Sequence, residues 1–279
     1  MHSITGRKSE VLSHIFFALL LLLQSPSALQ AEKATNNRIA SRENGGSVTI
    51  IFDNYRGEAD LGTAWGFACL VKYGDHRLLF DTGSDADLYR ENVLQLDISP
   101  EEIPGLFISH AHADHTAGIP WVTATNPSIQ CFLPAGYAEQ LKTAGNLPDN
   151  SKAIAKPAHL YGPFYSTGDD FENFREQALV IKTPDGGVLV TGCGHPGVVE
   201  MVTVAREQLN IPVHAVIGGL HLLNYPDAQV EAIAERLKDL GIKQICATHC
   251  TGDRAIAVFK QAFGDGYIPG GVGTRINIE

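Results

Sequence analysis

The chain has 279 residues, of which 44% are apolar and 19% charged, and this composition is typical of a globular protein with one large domain or two small ones. Its formal net charge is −10. Nucleic acid is disfavoured as a partner, because affinity for phosphate backbones depends on clustered Lys and Arg, and no such cluster is visible. We expect a small-molecule substrate instead, while the oligomeric state has no signature in the sequence.

The N-terminal segment has the pattern of a secretory signal. Arg7 and Lys8 precede an apolar run over residues 15–23, which is followed by small residues over 25–31. This run is shorter than the roughly 20 residues that span a bilayer, so no permanent membrane span is expected. We predict a signal peptide over 1–31, a flexible leader over 32–46, and a periplasmic or secreted location.

Alternating strands and helices are predicted from residue 47 to the C-terminus, as one domain. The first half contains β-rich runs over 48–52, 66–73 and 77–80, a helix over 85–96, and a short apolar run over 106–109. The second half repeats a strand, a His-bearing turn and a helix three times, with His195, His221 and His249 in the turns. Each of these His residues follows the carboxyl end of a strand, where α/β folds place ligands. Residues 135–175 are less regular, and we predict a substrate-covering loop or insertion there.

A cluster of potential metal ligands follows the apolar run over 106–109. His110 and His112 stand two apart on extended chain, so their imidazoles can share one metal ion, and Asp114 and His115 are placed to serve a second ion. Imidazole with carboxylate favours zinc, with iron or manganese as alternatives. The simpler alternative is a His-rich polar turn without a metal.

Several motifs resemble one known family. The segments 80–83 (FDTG) and 109–118 (SHAHADHTAG) are similar to those of the metallo-β-lactamase superfamily. The segments 191–197 (TGCGHPG), 218–222 (GGLHL) and 248–252 (THCTG) resemble the branch of 4-(β-D-ribofuranosyl)aminobenzene 5′-phosphate synthase-like proteins. The resemblance extends from residue 47 to the C-terminus.

This resemblance implies a four-layer αββα sandwich with the site at one sheet edge. It also implies two metal ions, one held by His110, His112 and His195, and the other by Asp114, His115 and His249. Asp81 ends a strand and is expected to orient a ligand imidazole, since carboxylates of this kind fix the tautomer. The alternative for Asp81 is a capping or turn residue.

One position departs from the family pattern. Most members carry an Asp that bridges the metals, on the strand end between the positions of His195 and His249. Here that place is occupied by residues 218–221 (GGLH), without a carboxylate. His221 is therefore a candidate for metal contact, substrate binding or proton transfer, or it is an ordinary packed histidine. A single metal or an unequal pair is a further alternative.

The chain contains five cysteines, an odd number, so at least one is unpaired within the monomer. A disulfide between Cys246 and Cys250 is conceivable in an oxidising compartment, although buried thiols are an equal alternative. For Cys193, we favour a buried thiol over contact with metal or substrate.

The predicted chemistry is hydrolysis of an ester, lactone, amide or phosphoester bond. A metal-bound water has its pKa lowered to about 7, so hydroxide is available near neutral pH. Asp114 is the carboxylate expected to orient the water or move its proton, with His221 as a second catalytic candidate. The alternatives are a transferase or synthase acting on a pterin- or aminobenzoate-related compound, and a non-catalytic metal- or ligand-binding protein of the same fold.

Overall fold

Two β-sheets packed face to face form the centre of the molecule. The computed structural model describes residues 45–57 and 60–279, which belong to one compact unit. The predicted signal peptide lies outside the described residues, as does the predicted leader except for its last two residues. Gly46 is the first residue of a strand and so does not belong to a leader.

The first sheet has seven strands in the order β13-β1-β2-β3-β4-β5-β6. Neighbours from β13 to β3 are antiparallel, and neighbours from β3 to β6 are parallel. The strands are β1 (Gly46–Phe52), β2 (Ala68–Tyr73), β3 (His76–Phe80), β4 (Gly105–Phe107), β5 (Gln130–Pro134), β6 (Ser151–Ile154) and β13 (Arg275–Ile278).

The second sheet has six strands in the order β12-β11-β10-β9-β8-β7. Strands β10, β11 and β12 are parallel, and the remaining neighbours are antiparallel. The strands are β7 (Ala158–Tyr161), β8 (Phe164–Ser166), β9 (Leu179–Thr183), β10 (Gly186–Thr191), β11 (Val213–Gly219) and β12 (Gln244–Thr248).

Helices cover the outer face of each sheet. In the first half of the chain the helices are α1 (Ala86–Gln95), α2 (Ala113–Thr116), α3 (Ile119–Thr125) and α4 (Ala135–Thr143), and in the second half they are α5 (Val198–Glu207), α6 (Asp227–Asp239) and α7 (Asp253–Phe263). Short 3-10 turns occur at Pro100–Glu102, His249–Thr251 and Gly264–Gly266. Within the residues described, none of these helices combines the length and apolar character needed to cross a membrane.

The period of two along the strands divides the core into separate apolar layers. In β3, Leu78 and Phe80 face the second sheet, whereas Leu79 faces the helices of the first. In β10, Val190 faces the first sheet and Leu189 packs against the outer helices. The predicted four-layer αββα sandwich is confirmed, because both faces of both sheets are buried.

The prediction of a substrate-covering loop over 135–175 is wrong for most of that segment. It contains α4, and its strands β6, β7 and β8 extend the edges of the two sheets. These strands are only three or four residues long, too short for an alternating pattern to stand out from the sequence. Only the connection between β8 and β9, residues 167–178, reaches the cluster described next.

Candidate metal centre

The ends of five strands bring the potential ligands to one place. Asp53 and Asn54 follow β1, Asp81 follows β3, and His110 lies three residues beyond β4. From the second sheet, the turn after β10 supplies Cys193 and His195, and the 3-10 turn after β12 begins with His249. Because parallel strands end at the same edge of a sheet, residues far apart in sequence converge there.

One set of donors surrounds Asp114, which lies in the short helix α2. Asp114 Oδ2 is 3.5 Å from His249 Nε2 and 3.7 Å from His115 Nε2. Cys193 Sγ joins this set, and ligand atoms of all four residues lie within 4.8 Å of one another. Both imidazoles are buried, while the Asp114 side chain is 21% exposed, so the set opens to solvent on the Asp114 side.

A second set contains His110, His195 and again Cys193, with ligand atoms within 4.8 Å of one another. The ring of His112 lies beside it, with its centroid 4.6 Å from that of His110 and 4.9 Å from that of His195. His112 is exposed, in contrast to the buried His110. The structure thus brings the six predicted ligands to one place: five of them contribute atoms to the two sets, and the ring of His112 lies beside the second.

A carboxyl or amide oxygen holds the Nδ1 atom of each of three imidazoles. His115 Nδ1 lies 2.7 Å from Asp81 Oδ2, and His249 Nδ1 lies 2.9 Å from Asn54 Oδ1. His195 Nδ1 lies 2.7 Å from Glu176 Oε2. Since these oxygens accept the Nδ1 proton, each Nε2 is left as the unprotonated atom that can bind a metal.

His110 reaches the same state through a different chain of bonds. Ser109 Oγ donates its only hydrogen to Asp81 Oδ2 at 2.7 Å, so it accepts from His110 Nδ1 at 2.9 Å. His110 Nε2 is then a bare lone pair, and it is buried without a protein partner. A buried polar atom of this kind is costly unless something pairs with it.

Glu176 is a site residue that the sequence did not reveal. Its Oε1 accepts hydrogen bonds from the backbone amides of Cys193 and Gly194, at 2.9 and 2.8 Å. Its Oε2 accepts from the amide and the ring of His195, at 2.9 and 2.7 Å. Glu176 is fully buried and shapes the whole turn after β10. It stands 19 residues before His195 with no motif around it, and no pattern in the sequence pointed to it.

Three site residues adopt left-handed backbone conformations. The φ angles are 54° at Asp81, 53° at His221 and 51° at His249. Such conformations cost about 1–3 kcal/mol each and persist where the surroundings impose them, often at functional sites. At these strand ends the turn aims each side chain back across the sheet edge.

The electrostatics keep the imidazoles of His110 and His115 neutral and the carboxyls of Glu176 and Asp114 ionised. Burial lowers the pKa of His110 to about 3 and that of His115 to about 4. Burial alone would raise the pKa of Glu176 and Asp114, but neighbouring His residues hold both below the usual range. Burial raises the pKa of Asp81 to about 8, so a cation bound at His115 would favour its ionised form.

All five cysteines are buried and unpaired, so the conceivable disulfide between Cys246 and Cys250 is not formed. Cys193 is buried, as predicted, but it also touches the ligands, with Sγ 3.2 Å from His115 Nε2 and 3.5 Å from His249 Nε2. Beyond it, ligand atoms of Cys250 and His221 lie within 4.8 Å of Cys193 Sγ.

His221 is exposed and packs its ring against that of His195, with centroids 4.2 Å apart. Its hydrogen bond with Cys250 raises its pKa. His221 therefore borders the cluster on the solvent side, opposite the buried His115 and Asp81.

The donor set fits divalent metal ions. A tetrahedral ion with metal–N and metal–O distances of about 2.1 Å separates neighbouring ligand atoms by about 3.4 Å. The distances from Asp114 Oδ2 to the two Nε2 atoms, 3.5 and 3.7 Å, are close to that value. The orphaned Nε2 of His110 is a second sign, since a bound cation would satisfy it. Imidazole, carboxylate and thiol groups together suit zinc or another first-row transition metal.

Comparisons with known proteins agree with this geometry. A sequence model of the metallo-beta-lactamase superfamily matches residues 66–208. The 7,8-dihydropterin-6-methyl-4-(beta-D-ribofuranosyl)-aminobenzene-5'-phosphate synthase of Methanocaldococcus jannaschii is 30% identical, with 67% of this chain and 79% of that protein covered. The ribonuclease Z of Nanoarchaeum equitans is 28% identical over only 34% of this chain and 33% of its own.

A solved structure shows the same fold. The crystal structure of a metal-dependent hydrolase of the beta-lactamase superfamily superposes with a TM-score of 0.70 at 23% identity, covering 83% of this chain and 98% of that one. The αββα sandwich with a cluster of potential metal ligands at the sheet edge is a hydrolase-like fold of the metallo-β-lactamase type. The chain belongs to the metallo-β-lactamase superfamily.

Proposed function

We propose that the chain is a hydrolase that uses two zinc ions to cleave an ester, lactone, amide or phosphoester bond of a small molecule. One observation carries the proposal: two donor sets meet at Cys193, and the imidazoles that line them turn their unprotonated Nε2 atoms inward. A structural role alone does not require this, because a packed histidine can point either nitrogen at a partner.

The protein groups supply distinct parts of the chemistry. His110, His112 and His195 would hold one ion, and Asp114, His115 and His249 the other. Bound there, two ions would make a hydroxide nucleophile available near neutral pH and polarise the bond that is attacked. Asp114 is ionised and partly exposed, so its second oxygen can orient a water molecule. His221, exposed beside His195, is placed to give a proton to the leaving group.

The surroundings of the cluster favour a small organic substrate. Trp65 is 48% exposed, and its ring centroid lies 4.9 Å from that of His249. On the other side, Phe174 stacks on His195 with centroids 4.1 Å apart. The exposed apolar residues Leu223 and Tyr225 follow His221. An apolar rim around a polar centre is typical of a small-molecule site, and the formal net charge of −10 disfavours a nucleic acid.

The proposal is tested with metal-loaded protein on panels of aryl esters, lactones, amides and phosphate mono- and diesters. We expect turnover of at least one class, loss of turnover on chelation, and recovery with zinc. The double variant His112→Ala/Asp114→Ala should lose the activity, whereas His159→Ala, on an exposed strand away from the cluster, should keep it. Undiminished turnover by the double variant, with its metal content measured, would refute the site.

A second candidate is a synthase or transferase acting on a pterin- or aminobenzoate-related compound. The synthase of M. jannaschii supports it, because it is 30% identical and the match covers 79% of its length. Mass spectrometry of reactions with aminobenzoate- and pterin-related compounds separates the two candidates. A condensation product without hydrolysis of any ester panel would favour the synthase. The predicted export argues for the hydrolase, since pathway partners of such a synthase are expected in the cytoplasm.

The periplasmic or secreted location remains a proposal that rests on residues 1–31. Expression of the whole chain in a Gram-negative host, followed by N-terminal sequencing of the mature protein, tests it. A mature chain that starts after Ala31 in the periplasmic fraction is the expected result, and an uncleaved chain in the cytoplasm would reject export.

A further inference from the structure

Cys193 lies at the point where the two donor sets meet. It stands in the turn after β10, two residues before His195, and only 3% of it is exposed. Its sulfur belongs both to the set of Asp114, His115 and His249 and to the set of His110 and His195. In the described part of the chain, Cys193 is the one residue that the two sets share.

The atoms that face the sulfur are those free to bind a metal. The Nδ1 atoms of His115 and His249 are held by Asp81 and Asn54, so their Nε2 atoms point to Cys193. A tetrahedral zinc with Zn–N of about 2.1 Å and Zn–S of about 2.3 Å places its N and S ligands about 3.6 Å apart. The distances from Cys193 Sγ to the two Nε2 atoms, 3.2 and 3.5 Å, lie near this value.

The end of β11 beside Cys193 has no room for a side chain at Gly219. A Cβ atom there would lie 2.4 Å from the carbonyl oxygen of Gly192 and 2.8 Å from Cys250 Sγ. Both contacts are shorter than real Cβ atoms show, so the backbone after β10 and the Cys250 thiol fill that space. The groups next to this strand end therefore include the sulfur atoms of Cys193 and Cys250.

We propose that Cys193 is a thiolate ligand shared by the two metal ions, in place of the missing bridging carboxylate. Coordination replaces its S–H bond by two sulfur–metal bonds and releases one proton to solvent. Cys250 Sγ lies 3.5 Å from the carbonyl oxygen of Cys193. In this proposal Cys250 supports the backbone of the turn after β10 and does not bind a metal ion. A thiolate favours zinc, cobalt or iron over manganese, which narrows the choice of native metal. The inference rests on the proposed two-metal site but not on its activity.

The test needs no substrate. Wild-type protein, Cys193→Ser and the matched neighbour Cys250→Ser are each loaded with Co²⁺, and the metal content and absorption spectrum are recorded. We expect two ions and a thiolate-to-cobalt charge-transfer band in the near ultraviolet for the wild type and for Cys250→Ser. In Cys193→Ser the charge-transfer band should vanish. One of the two ions should bind at least about 10-fold more weakly, because even removing a hydrogen-bond partner of a metal ligand lowers metal affinity by that much. A band that persists in Cys193→Ser, or that disappears only in Cys250→Ser, overturns the inference.

X-ray absorption of the zinc-loaded wild type gives an answer that does not depend on the variants folding. A sulfur shell at about 2.3 Å from zinc supports the inference, and a first shell of nitrogen and oxygen alone overturns it. Two ions bound without sulfur would leave the proposed hydrolase intact and reject only the thiolate. Failure to bind any divalent ion would reject both.

Discussion

The carboxylate of Glu176 holds His195 twice, accepting from its backbone amide at 2.9 Å and from its ring Nδ1 at 2.7 Å. The other oxygen of the same carboxylate binds the amides of Cys193 and Gly194. One buried side chain therefore sets both the backbone of the turn after β10 and the tautomer of a proposed metal ligand.

Replacing Glu176 by Gln should weaken metal binding at His110 and His195. Two N–H donors converge on each carboxylate oxygen, so an amide NH₂ would oppose two of them whichever way it is flipped. We expect a 10- to 100-fold loss of affinity for one ion, measured by chelator competition, which is the usual effect of removing a partner of a ligand imidazole. Glu172→Gln, exposed on the same connection, is the control. Equal affinity in both variants would contradict the role given to Glu176.

Glu176 also marks a limit of prediction from sequence. The ligands within residues 110–115 could be predicted from the sequence because they are contiguous. The repeated unit of strand, turn and helix predicted His195 and His249. Of the partners of the imidazoles, Asp81 could be predicted from its place at a strand end, whereas Glu176 could not, because it lies in a connection without a repeating pattern. A single buried carboxylate cannot be recognised from the sequence, because its role depends on groups that only the folded structure brings next to it.

The strands of the second half illustrate the same contrast within the fold. Strands β10, β11 and β12 are largely buried and apolar, and each is followed by a His-bearing turn and a helix, so the sequence predicted all three as strands. The short strands β6, β7 and β8, which lie at or next to a sheet edge, were taken for a loop, since three or four residues cannot display a period. Pairing with their neighbours in the sheets, which the sequence alone does not reveal, makes them strands.

Removal of the metal should lower the melting temperature. Ions that bind only the folded state stabilise it by about 2.7 kcal/mol when free metal is 100 times the dissociation constant. The difference in melting temperature between zinc-loaded and chelator-treated protein, measured by calorimetry, should shrink in His110→Ala, since the orphaned Nε2 is lost. His76→Ala, at the exposed start of β3, should keep the wild-type difference. A full difference in His110→Ala would show that His110 holds no ion.

The contribution of Asp53 to the stability of the metal-free protein should fall as pH rises from about 4 to about 6, whereas the buried imidazoles of His110 and His115 contribute in the opposite direction. Burial raises the pKa of Asp53 from 3.8 to about 6, against the hydrogen bonds from Thr248 and Tyr55. In this window the Asp53 carboxyl holds more protons in the folded state than in the unfolded chain, so its contribution to the free energy of unfolding drops by about 3 kcal/mol.

Asp53→Asn removes the titrating group; its oxygen can still accept from the Tyr55 amide, while its NH₂ faces the Thr248 hydroxyl, which must then accept. In denaturant titrations this variant should gain stability relative to the wild type as pH rises from about 4 to about 6, whereas Asp75→Asn, in an exposed turn, should follow the wild type. If the free energy of unfolding depended on pH identically in the wild type and in Asp53→Asn, the raised pKa of the buried Asp53 carboxyl would be contradicted.

Metal binding should be visible in the fluorescence of one tryptophan. The chain has two tryptophans. The ring centroid of Trp65 lies 4.9 Å from that of His249, whereas Trp121 packs against Tyr89 with ring centroids 5.9 Å apart. Because open-shell ions quench indole emission at short range, titration with Co²⁺ should quench Trp121→Phe, which keeps Trp65, far more deeply than Trp65→Phe. Zinc, which has a closed shell, serves as the control ion and should change the emission of both variants little. Deep cobalt quenching that persists in Trp65→Phe would mean that the ion binds away from His249, and the proposed ligand set of Asp114, His115 and His249 would then be wrong.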